Sequence, residues 1–544
     1  MDSSAAFDIL IIGSGPAGAH AAQSAIASGL RVGMVDVGQT DTHYAHRVPS
    51  LPFTQIRQSD PKQKEYFLGD NIEEVFDKKR KAGTHLTPAR YHMIEKMDEL
   101  FPTRTHNFFC LQSCAQGGLA AGWGGNCFTY EDCELKKIGL SSNRMRFFYD
   151  EAMAEIGVSA EPASDLYPSV GTFPHALPAL QIDTNTESIV NRYSNNKEWF
   201  SRNGFCLGKS PLAVLSRRQD DRGPNPYFDM DFWADINRSV YRPRYTIEKL
   251  TREPNFHYEP GMLAKSFHET TAGEVAVHCQ NIDTDHAQLF RARRLILAAG
   301  AINTGKLALA SAQAYSPRLP LLCNPNYWVA ALNWSQLGIP ARDERYSLSQ
   351  LTATLRTSND PDYVVGQFYS YRSLLFFRLL HDMPLPPALG LLLLRLISSS
   401  LTVINMHFSD KPAPQHRWLQ LKKGPTADEL VLSASYTPNE LTDRENQLRK
   451  FLRCLFKLGC LPFRIVRPIH GASIHYAGTL PFSEQEQPFS CHPSGRLYGY
   501  KNVYIADSSP WRFLPSKGLT LTIMAQARKV AAEVSSELKN ETPL

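Results

Sequence analysis

The sequence feature that most constrains the fold is a glycine-rich turn near the start of the chain. The apolar run from Phe7 to Ile12 is typical of a buried parallel strand, and Gly13-Ser14-Gly15-Pro16-Ala17-Gly18 follows it directly. Small residues up to Ser28 predict a helix after the turn, and the run from Arg31 predicts a second strand. The chain therefore begins with a predicted βαβ unit.

The turn has the spacing G-x-G-x-x-G, which suits a pyrophosphate ligand. Gly13 permits a tight turn, Gly15 lets the backbone approach the phosphates, and Gly18 lets the helix pack on the strand. Asp36 follows the second strand about 20 residues later, where a carboxylate can hydrogen-bond a ribose hydroxyl. We therefore predict a dinucleotide site. A glycine-rich turn without a ligand is the alternative, and this motif does not distinguish FAD from NAD.

The chain is long enough for more than one hydrophobic core. It has 544 residues, of which 43% are hydrophobic and 20% are charged, as in folded globular proteins. At roughly 100 to 200 residues per domain, this length predicts two lobes or one large discontinuous fold.

Charge and cysteine patterns argue against several classes of protein. The formal net charge is only +5, and the basic run at residues 78–81 is interpreted as a solvated surface, so nucleic-acid binding is not expected. The ten cysteines include no C-x-x-C pair and no zinc-type histidine spacing. This pattern indicates reduced thiols and no metal site.

Two apolar segments bear on where the protein is located. The N-terminal run lacks the positive charge of a signal peptide, so a cytoplasmic protein is expected. The strongly apolar region from Ser373 to Ile404 is interrupted by charges and prolines, so no transmembrane segment is expected. Its leucines are interpreted in three ways: as core helices, as walls of a pocket for a lipophilic substrate, or as a patch that lies on a membrane.

Later segments indicate that the chain returns to the first sheet. Leu295 to Leu297 predicts a buried strand that runs into Gly300 and a helix, and the C-terminal end predicts another strand and a long amphipathic helix. Residues 40–107 are polar and contain several prolines, which predicts an insertion or cover. The predicted nucleotide-binding domain is discontinuous and comprises 1–165, 235–312 and 484–544, and the predicted second domain comprises 166–234 and 313–483.

Four separated stretches together resemble the glucose-methanol-choline (GMC) family of flavin oxidoreductases. They are the N-terminal motif, GGLAAGWGG from Gly117, LILAAGAINTGKLAL from Leu295, and the closing segments from HYAGT to LTLTIMAQA. The resemblance implies an α/β fold, with a Rossmann-like FAD-binding domain of GMC type and a second, α+β substrate-binding domain built on a β-sheet. It also implies FAD as the cofactor, and the single dinucleotide motif argues against a site for NAD.

The resemblance also implies which residues contact the flavin. In this family the segment that begins at Gly117 wraps the cofactor, and some members carry a flavin-linking histidine just before the position of Trp123. This chain has Gly122 there, so noncovalent FAD is predicted. The family's final strand places Asp507 near the flavin, and the helix from about Thr520 points its N-terminus at the flavin ring. A surface loop is the alternative for the glycines, and a turn cap is the alternative for Asp507. The predicted cofactor contacts are Gly13, Gly15, Pro16, Ala17, Gly18, Asp36, Gly117, Gly118, Trp123, Gly124, Gly125, Asp507 and Thr520.

The family's active-site segment, H-x-x-G-T, falls on His475. In relatives this histidine removes the alcohol proton while the hydride passes to flavin N5, and imidazole suits that task because its pKa lies near neutrality. A structural histidine is the alternative. Relatives have a second histidine or asparagine where this chain has Gly518, and Lys517 is the candidate to replace it as a hydrogen-bond donor, unless it is an ordinary surface lysine. Tyr476 and His470 are further polar candidates.

The resemblance therefore implies an FAD-dependent oxidoreductase that oxidises the CH–OH group of a small substrate, which we expect to be fairly apolar or a secondary metabolite. The electron acceptor would be O2 or another carrier. Because Gly518 departs from the family pattern, another reaction on the same fold is an alternative, such as desaturation, lactol oxidation or a redox-neutral rearrangement in natural-product biosynthesis. A non-catalytic FAD-binding partner protein is the other alternative.

Overall fold

The computed structural model describes residues 7–72, 86–340, 344–357, 362–370, 380, 383–424 and 427–541, and the basic run at 78–81 lies outside these ranges. The α-helices, in chain order, are α1 Pro16–Ala27, α2 Phe53–Ser59, α3 Gln63–Leu68, α4 Met97–Leu100, α5 Asp132–Ile138, α6 Ser142–Ile156, α7 Tyr167–Val170, α8 Thr184–Ser194, α9 Lys197–Arg202, α10 Pro243–Leu250, α11 Ala301–Ser311, α12 Pro387–Ile397, α13 Pro438–Lys457 and α14 Thr520–Asn540. The strands are β1 Phe7–Ile12, β2 Val32–Val35, β3 Thr103–His106, β4 Ser159–Ala160, β5 Leu177–Pro178, β6 Phe205–Lys209, β7 Phe256–Glu259, β8 Met262–Glu269, β9 Val275–Asn281, β10 Ala287–Leu297, β11 Leu319–Pro320, β12 Leu322–Cys323, β13 Asn326–Asn333, β14 Leu351–Arg356, β15 Tyr363–Ser370, β16 Leu401–His407, β17 Arg417–Lys422, β18 Glu429–Ala434, β19 Cys460–Val466, β20 Tyr476–Ala477 and β21 Val503–Ile505.

The predicted βαβ unit lies at the centre of a seven-stranded sheet. The strand order is β7-β2-β1-β10-β9-β8, and β21 pairs with β10. β1 lies between β2 and β10, and the three strands are parallel, with Ile9 opposite Val32 and Leu10 opposite Leu295. Helices α1 and α14 pack together on one face of this sheet. The predicted Rossmann-like α/β fold is therefore confirmed, including the late return of the chain to the first sheet.

Helix α1 begins and ends at residues that favour those positions. Pro16 occupies its first turn, where a missing N–H costs no helical hydrogen bond. Gly29 follows its end with a φ of +80°, which glycine adopts readily. A β-carbon on Gly18 would lie 1.8 Å from the carbonyl oxygen of Gly13, so only glycine lets the helix approach the turn this closely.

A six-stranded antiparallel sheet forms the second lobe, in the order β19-β13-β16-β15-β14-β6. Helix α13 packs on it through Phe451 and Leu455, which are fully buried. The Phe451 ring lies so close to Gly366 that a β-carbon there would be 2.4 Å away. Burial of one phenylalanine contributes about 1.5–3 kcal/mol, so this contact is a principal link between helix and sheet.

The polar segment 40–107 has short helices and long connections, as predicted, but its end belongs to a sheet. β3 pairs in parallel with β18, with Thr103 opposite Leu430, and completes the four-stranded sheet β11-β17-β18-β3. The sequence does not predict this strand because its four residues are polar. The division of the chain into domains stays a prediction.

One interpretation of the leucine-rich region is wrong. α12 is not a core helix, because only Gly390 and Leu394 of its residues are buried. Leu389, Leu392 and Leu396 are each at least 50% exposed. Leucines that surround a helix cannot all face a core on one side of it. Residues 371–379 and 381–382 of this region lie outside the described residues. Within the described ranges, no helix is both long enough and apolar enough to cross a bilayer.

Candidate cofactor and catalytic site

A cavity of about 690 Å³ lies between the two lobes. Residues 13–17 and Asp36 line one end of it, at the carboxyl ends of β1 and β2. His475 and side chains from β15 and β16 line the other end. Open α/β sheets bind ligands at the carboxyl ends of their strands, so the first end is the expected place for a dinucleotide.

Two glycine-rich segments meet at the first end of the cavity. A β-carbon on Gly118 would lie 3.2 Å from the Cα of Gly15, so the two backbones are nearly in contact. Gly117 donates its N–H to Ser14 Oγ at 2.9 Å, and Ser14 donates its hydroxyl hydrogen to the Asp36 carboxylate. One hydroxyl therefore connects the turn, the second strand and the later glycine segment. The motif leaves the position of Ser14 unspecified, so no sequence signal predicts this role.

The carboxylate of Asp36 lies where a ribose-binding group is expected. Burial raises its pKa to about 7, and the hydrogen bond from Ser14 acts in the opposite direction. A ligand hydroxyl that donates to the carboxylate would favour its charged form. Asp36 is therefore placed to accept a hydrogen bond from a bound dinucleotide.

The predicted cofactor contacts fall into two groups, those on the cavity wall and those behind it. Trp123 is on the wall, and its indole N–H donates to the carbonyl of Tyr241 at 2.7 Å. The residues on the wall are Gly13, Gly15, Pro16, Ala17, Asp36, Gly118, Trp123, Gly124, Asp507 and Thr520, and those behind it are Gly18, Gly117 and Gly125.

The Asp507 side chain is held by bonds within the protein. Its Oδ2 accepts the N–H of Gly300 at 2.9 Å and the hydroxyl of Thr304 at 2.6 Å, where α11 begins. This is the turn-cap alternative, and direct contact with the flavin stays a prediction. Thr520 begins α14, whose first turn lines the cavity and has no side-chain cap. Its N–H groups are therefore free to meet a ligand.

Buried polar atoms on the cavity wall indicate that its ligand is polar. Gln112 Oε1, Asn303 Oδ1 and His407 Nδ1 have no hydrogen-bond partner among the described residues. A buried polar atom without a partner costs about 1–3 kcal/mol, so a ligand that supplies donors and acceptors would stabilise this arrangement. A β-carbon on Gly15 would meet no atom within 4 Å, which leaves room for phosphates at that point. The residues present therefore fit FAD.

The ring of His475 is oriented by an asparagine from another segment. Strands β12 and β20 pair, which brings Asn324, just after the first, beside His475, just before the second. Asn324 donates its amide hydrogens to the carbonyls of Phe408 at 2.8 Å and Pro515 at 2.9 Å, so its oxygen faces the ring. That oxygen lies 3.0 Å from His475 Nδ1. Nδ1 therefore carries the hydrogen, and Nε2 keeps its lone pair.

The His475 ring is neutral, and the backbone just before it is strained. Burial lowers the pKa of His475 to about 4, so the ring is neutral at physiological pH. Ile474, the residue before it, has a φ of +62°, which is rare for a β-branched side chain. Such strain costs about 1–3 kcal/mol and clusters at functional sites.

A second histidine, which the sequence did not single out, lies next to His475. The rings of His407 and His475 are stacked, with centroids 5.0 Å apart and planes 19° from parallel. His407 is only 3% exposed, and it lines the same cavity. It ends an apolar strand of the second lobe, so no local motif marks it.

The other candidates near His475 have structural partners. Lys517 is fully buried, its Nζ lies 2.5 Å from Glu134 Oε2, and it does not line the cavity, so it is not a surface lysine either. The hydroxyl of Tyr476 accepts a backbone N–H at 3.0 Å. The ring of His470 is hydrogen-bonded to the hydroxyl of Tyr436. Burial lowers the pKa of His470 to about 3. We therefore do not retain these three as donors to a substrate.

The cavity wall at the end away from residues 13–17 is polar. Gln367 and Tyr369 on β15, and Asn405 on β16, line the cavity. Gln367 and Tyr369 are two residues apart on β15, and Asn405 pairs with Gln367, so the three side chains lie on one face of the sheet. Tyr369 donates its hydroxyl hydrogen to Gln367 Oε1 at 2.9 Å, and Asn405 Oδ1 accepts from the Asn326 amide at 3.2 Å. This end of the cavity therefore presents amides and a phenol to a ligand.

Known proteins resemble the chain in one segment of sequence and in the whole fold. Residues 462–527 match the family model described as GMC oxidoreductase, whereas no curated protein sequence matches the chain significantly. Two variants of the formate oxidase of Aspergillus oryzae RIB40 have TM-scores of 0.62 and 0.63 at 12% identity, over 99% of this chain and 100% of theirs. The pyridoxine 4-oxidase of Mesorbium loti has a TM-score of 0.54 at 14% identity, over 97% of this chain and 98% of its own. The resemblance to the GMC family is therefore confirmed.

Gly15→Ala should weaken cofactor binding without weakening the fold. The new β-carbon meets no protein atom within 4 Å but stands on the cavity wall. We expect the stability of the apoprotein to change by less than about 0.5 kcal/mol, and FAD affinity to fall by about tenfold or more. Gly18→Ala is the matched variant, and it should destabilise the apoprotein itself. Thermal unfolding and FAD titration measure the two effects, and a stable Gly18→Ala apoprotein would contradict this account.

Lys517→Met should destabilise the protein, because it leaves the Glu134 carboxylate buried without a counter-charge. Breaking one side of a buried ion pair costs about 3–5 kcal/mol. Adding Glu134→Gln to the same variant should restore part of this loss. Urea unfolding measures both effects. If Lys517→Met instead lost turnover at unchanged stability, Lys517 would have a role in the reaction and this account would be wrong.

Proposed function

We propose that the protein is an FAD-dependent oxidoreductase that oxidises a CH–OH group. The premise is that the chain has the GMC oxidoreductase fold and that its residues 462–527 match the family model. One observation carries the proposal. His475, whose Nδ1 is hydrogen-bonded to Asn324 so that Nε2 is left as an acceptor, lines the same cavity as the glycine turn at residues 13–17.

His475 would act as the base. Its Nε2 accepts the hydroxyl proton, and Asn324 keeps the ring in the tautomer that makes this possible. FAD, when bound, supplies the acceptor for the hydride that leaves the same carbon. Because only the neutral ring accepts a proton, activity should be level at neutral pH and should fall as the pH approaches the His475 pKa of about 4.

His407 would replace the group that relatives place at the position of Gly518. It is stacked on the base, lines the cavity, and has an Nδ1 without a partner among the described residues. Burial and the neighbouring His475 hold the pKa of His407 well below its usual range, so it stays neutral when His475 takes the proton. An N–H of His407 that donates to the substrate oxygen would stabilise the charge that forms there. If His407 supplies this hydrogen bond, the glycine at position 518 is no longer a reason to expect a reaction other than alcohol oxidation.

We propose noncovalent FAD and O2 as the second substrate. Gly122 lines the cavity at the point where some family members carry a linking histidine, and glycine has no atom that could form the bond. The structural neighbours are oxidases, which favours O2 over another carrier. FAD that is released in full by denaturation, together with peroxide formed during turnover, would support both proposals.

The substrate that fits the cavity wall beside His475 carries polar groups of its own. Gln367, Tyr369 and Asn405 offer hydrogen bonds at the end of the cavity that holds His475. Each of these groups has a hydrogen bond within the protein, and a lipophilic alcohol would leave their remaining donors and acceptors without partners, at a cost of about 1–3 kcal/mol each. Formate and pyridoxine, for which the neighbours are named, are small and polar as well. We therefore prefer a small polar alcohol to the fairly apolar substrate that the sequence suggested.

His475→Ala should abolish reduction of the bound flavin by substrate. Loss of the base typically lowers the rate by about 10²–10⁴-fold. Anaerobic mixing with a panel of small polar alcohols, followed at the flavin absorbance band, measures this rate. The variant should retain bound FAD, because His475 is not part of the dinucleotide site at residues 13–17 and Asp36. Undiminished bleaching in the variant would remove His475 from the reaction, and a product without the loss of two hydrogens would indicate a different reaction.

His407→Phe should lower turnover while preserving the stacking of an aromatic ring on His475. Loss of one donor to a developing oxyanion costs about 10²–10³-fold in kcat. His407→Asn keeps a donor and should recover part of the rate, with FAD content equal to that of the wild type in both variants. Steady-state kinetics that separate kcat from KM test this difference. Equal kcat values for the Phe and Asn variants would mean that His407 only packs against His475.

A further inference from the structure

Exposed leucines cover helix α12 in the second lobe. Leu389, Leu392, Leu393 and Leu396 are between 37% and 54% exposed. A contiguous apolar surface on a folded protein marks a contact with another protein or with a membrane. This helix is therefore a candidate contact surface.

The apolar surface continues from α12 onto a neighbouring turn. Trp334, Leu337 and Ile339 are between 41% and 48% exposed. Gly338 donates its N–H to the carbonyl of Leu396 at 3.1 Å, so the turn lies against the end of the helix.

The same turn joins a third apolar element. Trp334 donates its N–H to the carbonyl of Gly459 at 3.3 Å, in the link between α13 and β19. Around this link, Phe456, Leu461 and Phe463 are between 42% and 55% exposed. We call the three segments 334–339, 387–397 and 453–464 together the apolar end of the second lobe.

The charges of the apolar end have one sign. Its three segments contain Arg395, Arg453, Lys457 and Arg464 and no acidic residue. All four basic side chains are exposed. The surface therefore combines insertable apolar side chains with cations at their edges.

We propose that the apolar end docks on the surface of an anionic lipid membrane. Leucine and aromatic side chains bury their apolar atoms at the boundary between headgroups and acyl chains, while long basic side chains reach the lipid phosphates. A second copy of the chain is a poorer partner. A two-fold contact places the same patch of both copies together, so cations would face cations with no acid to pair with them.

Vesicle co-sedimentation of the full-length, FAD-loaded protein tests the proposal. We expect binding to vesicles of phosphatidylcholine with phosphatidylserine, and weaker binding to phosphatidylcholine alone. Leu392→Ser with Leu393→Ser and Leu396→Ser should lower the affinity by about tenfold or more. Arg395→Gln with Arg464→Gln should lower it by roughly tenfold on anionic vesicles only. Leu289→Ser, which changes a leucine 44% exposed on β10, is the matched control and should bind like the wild type.

Two results would overturn the proposal. One is a wild-type protein that sediments with neither kind of vesicle. The other is a triple-leucine variant that binds like the wild type while its unfolding temperature is unchanged. Size-exclusion chromatography with light scattering identifies the competing partner. A dimer that the triple-leucine variant loses, without vesicle binding by the wild type, would assign the apolar end to a second copy.

Discussion

The near-contact of the Gly15 and Gly118 backbones is the constraint on which the rest of the site depends. Two segments 103 residues apart along the chain approach so closely because Gly118 has no side chain at that point, and the Ser14 hydroxyl holds them there. The later segment then runs along the cavity wall to Gly124, close to the hydroxyl of Tyr369 in the second lobe. The glycine contact therefore helps to fix the end of the cavity at residues 13–17 relative to the end lined by β15 and β16.

The elements that the sequence predicts well are those whose signal is local. β1, α1 and β2 follow from a short apolar run, a glycine turn and a second apolar run, and nothing distant is needed to recognise them. His475 was found because its neighbours form a compact motif, and the structure places it on the cavity wall. Its catalytic role stays a proposal.

The parts that the sequence could not predict depend on contacts between distant segments. Lys517 looks like a free donor until Glu134, 383 residues away, is seen beside it. His407 belongs to an apolar strand, and it becomes notable only when pairing of the second lobe stacks it on His475. The leucines of α12 left three interpretations open because composition reports how apolar a segment is, but not what covers it.

The cavity draws its two kinds of residue from two different sheets, and this separation has an evolutionary consequence. The turn at residues 13–18 belongs to the parallel sheet, whereas Gln367, Tyr369 and Asn405 project from the antiparallel one. Ladder hydrogen bonds hold β15 and β16 in register through backbone atoms, whatever side chains they carry. Selection can therefore retune which molecule enters by exchanging a few strand residues, while the sheet that carries the glycine turn is inherited unchanged.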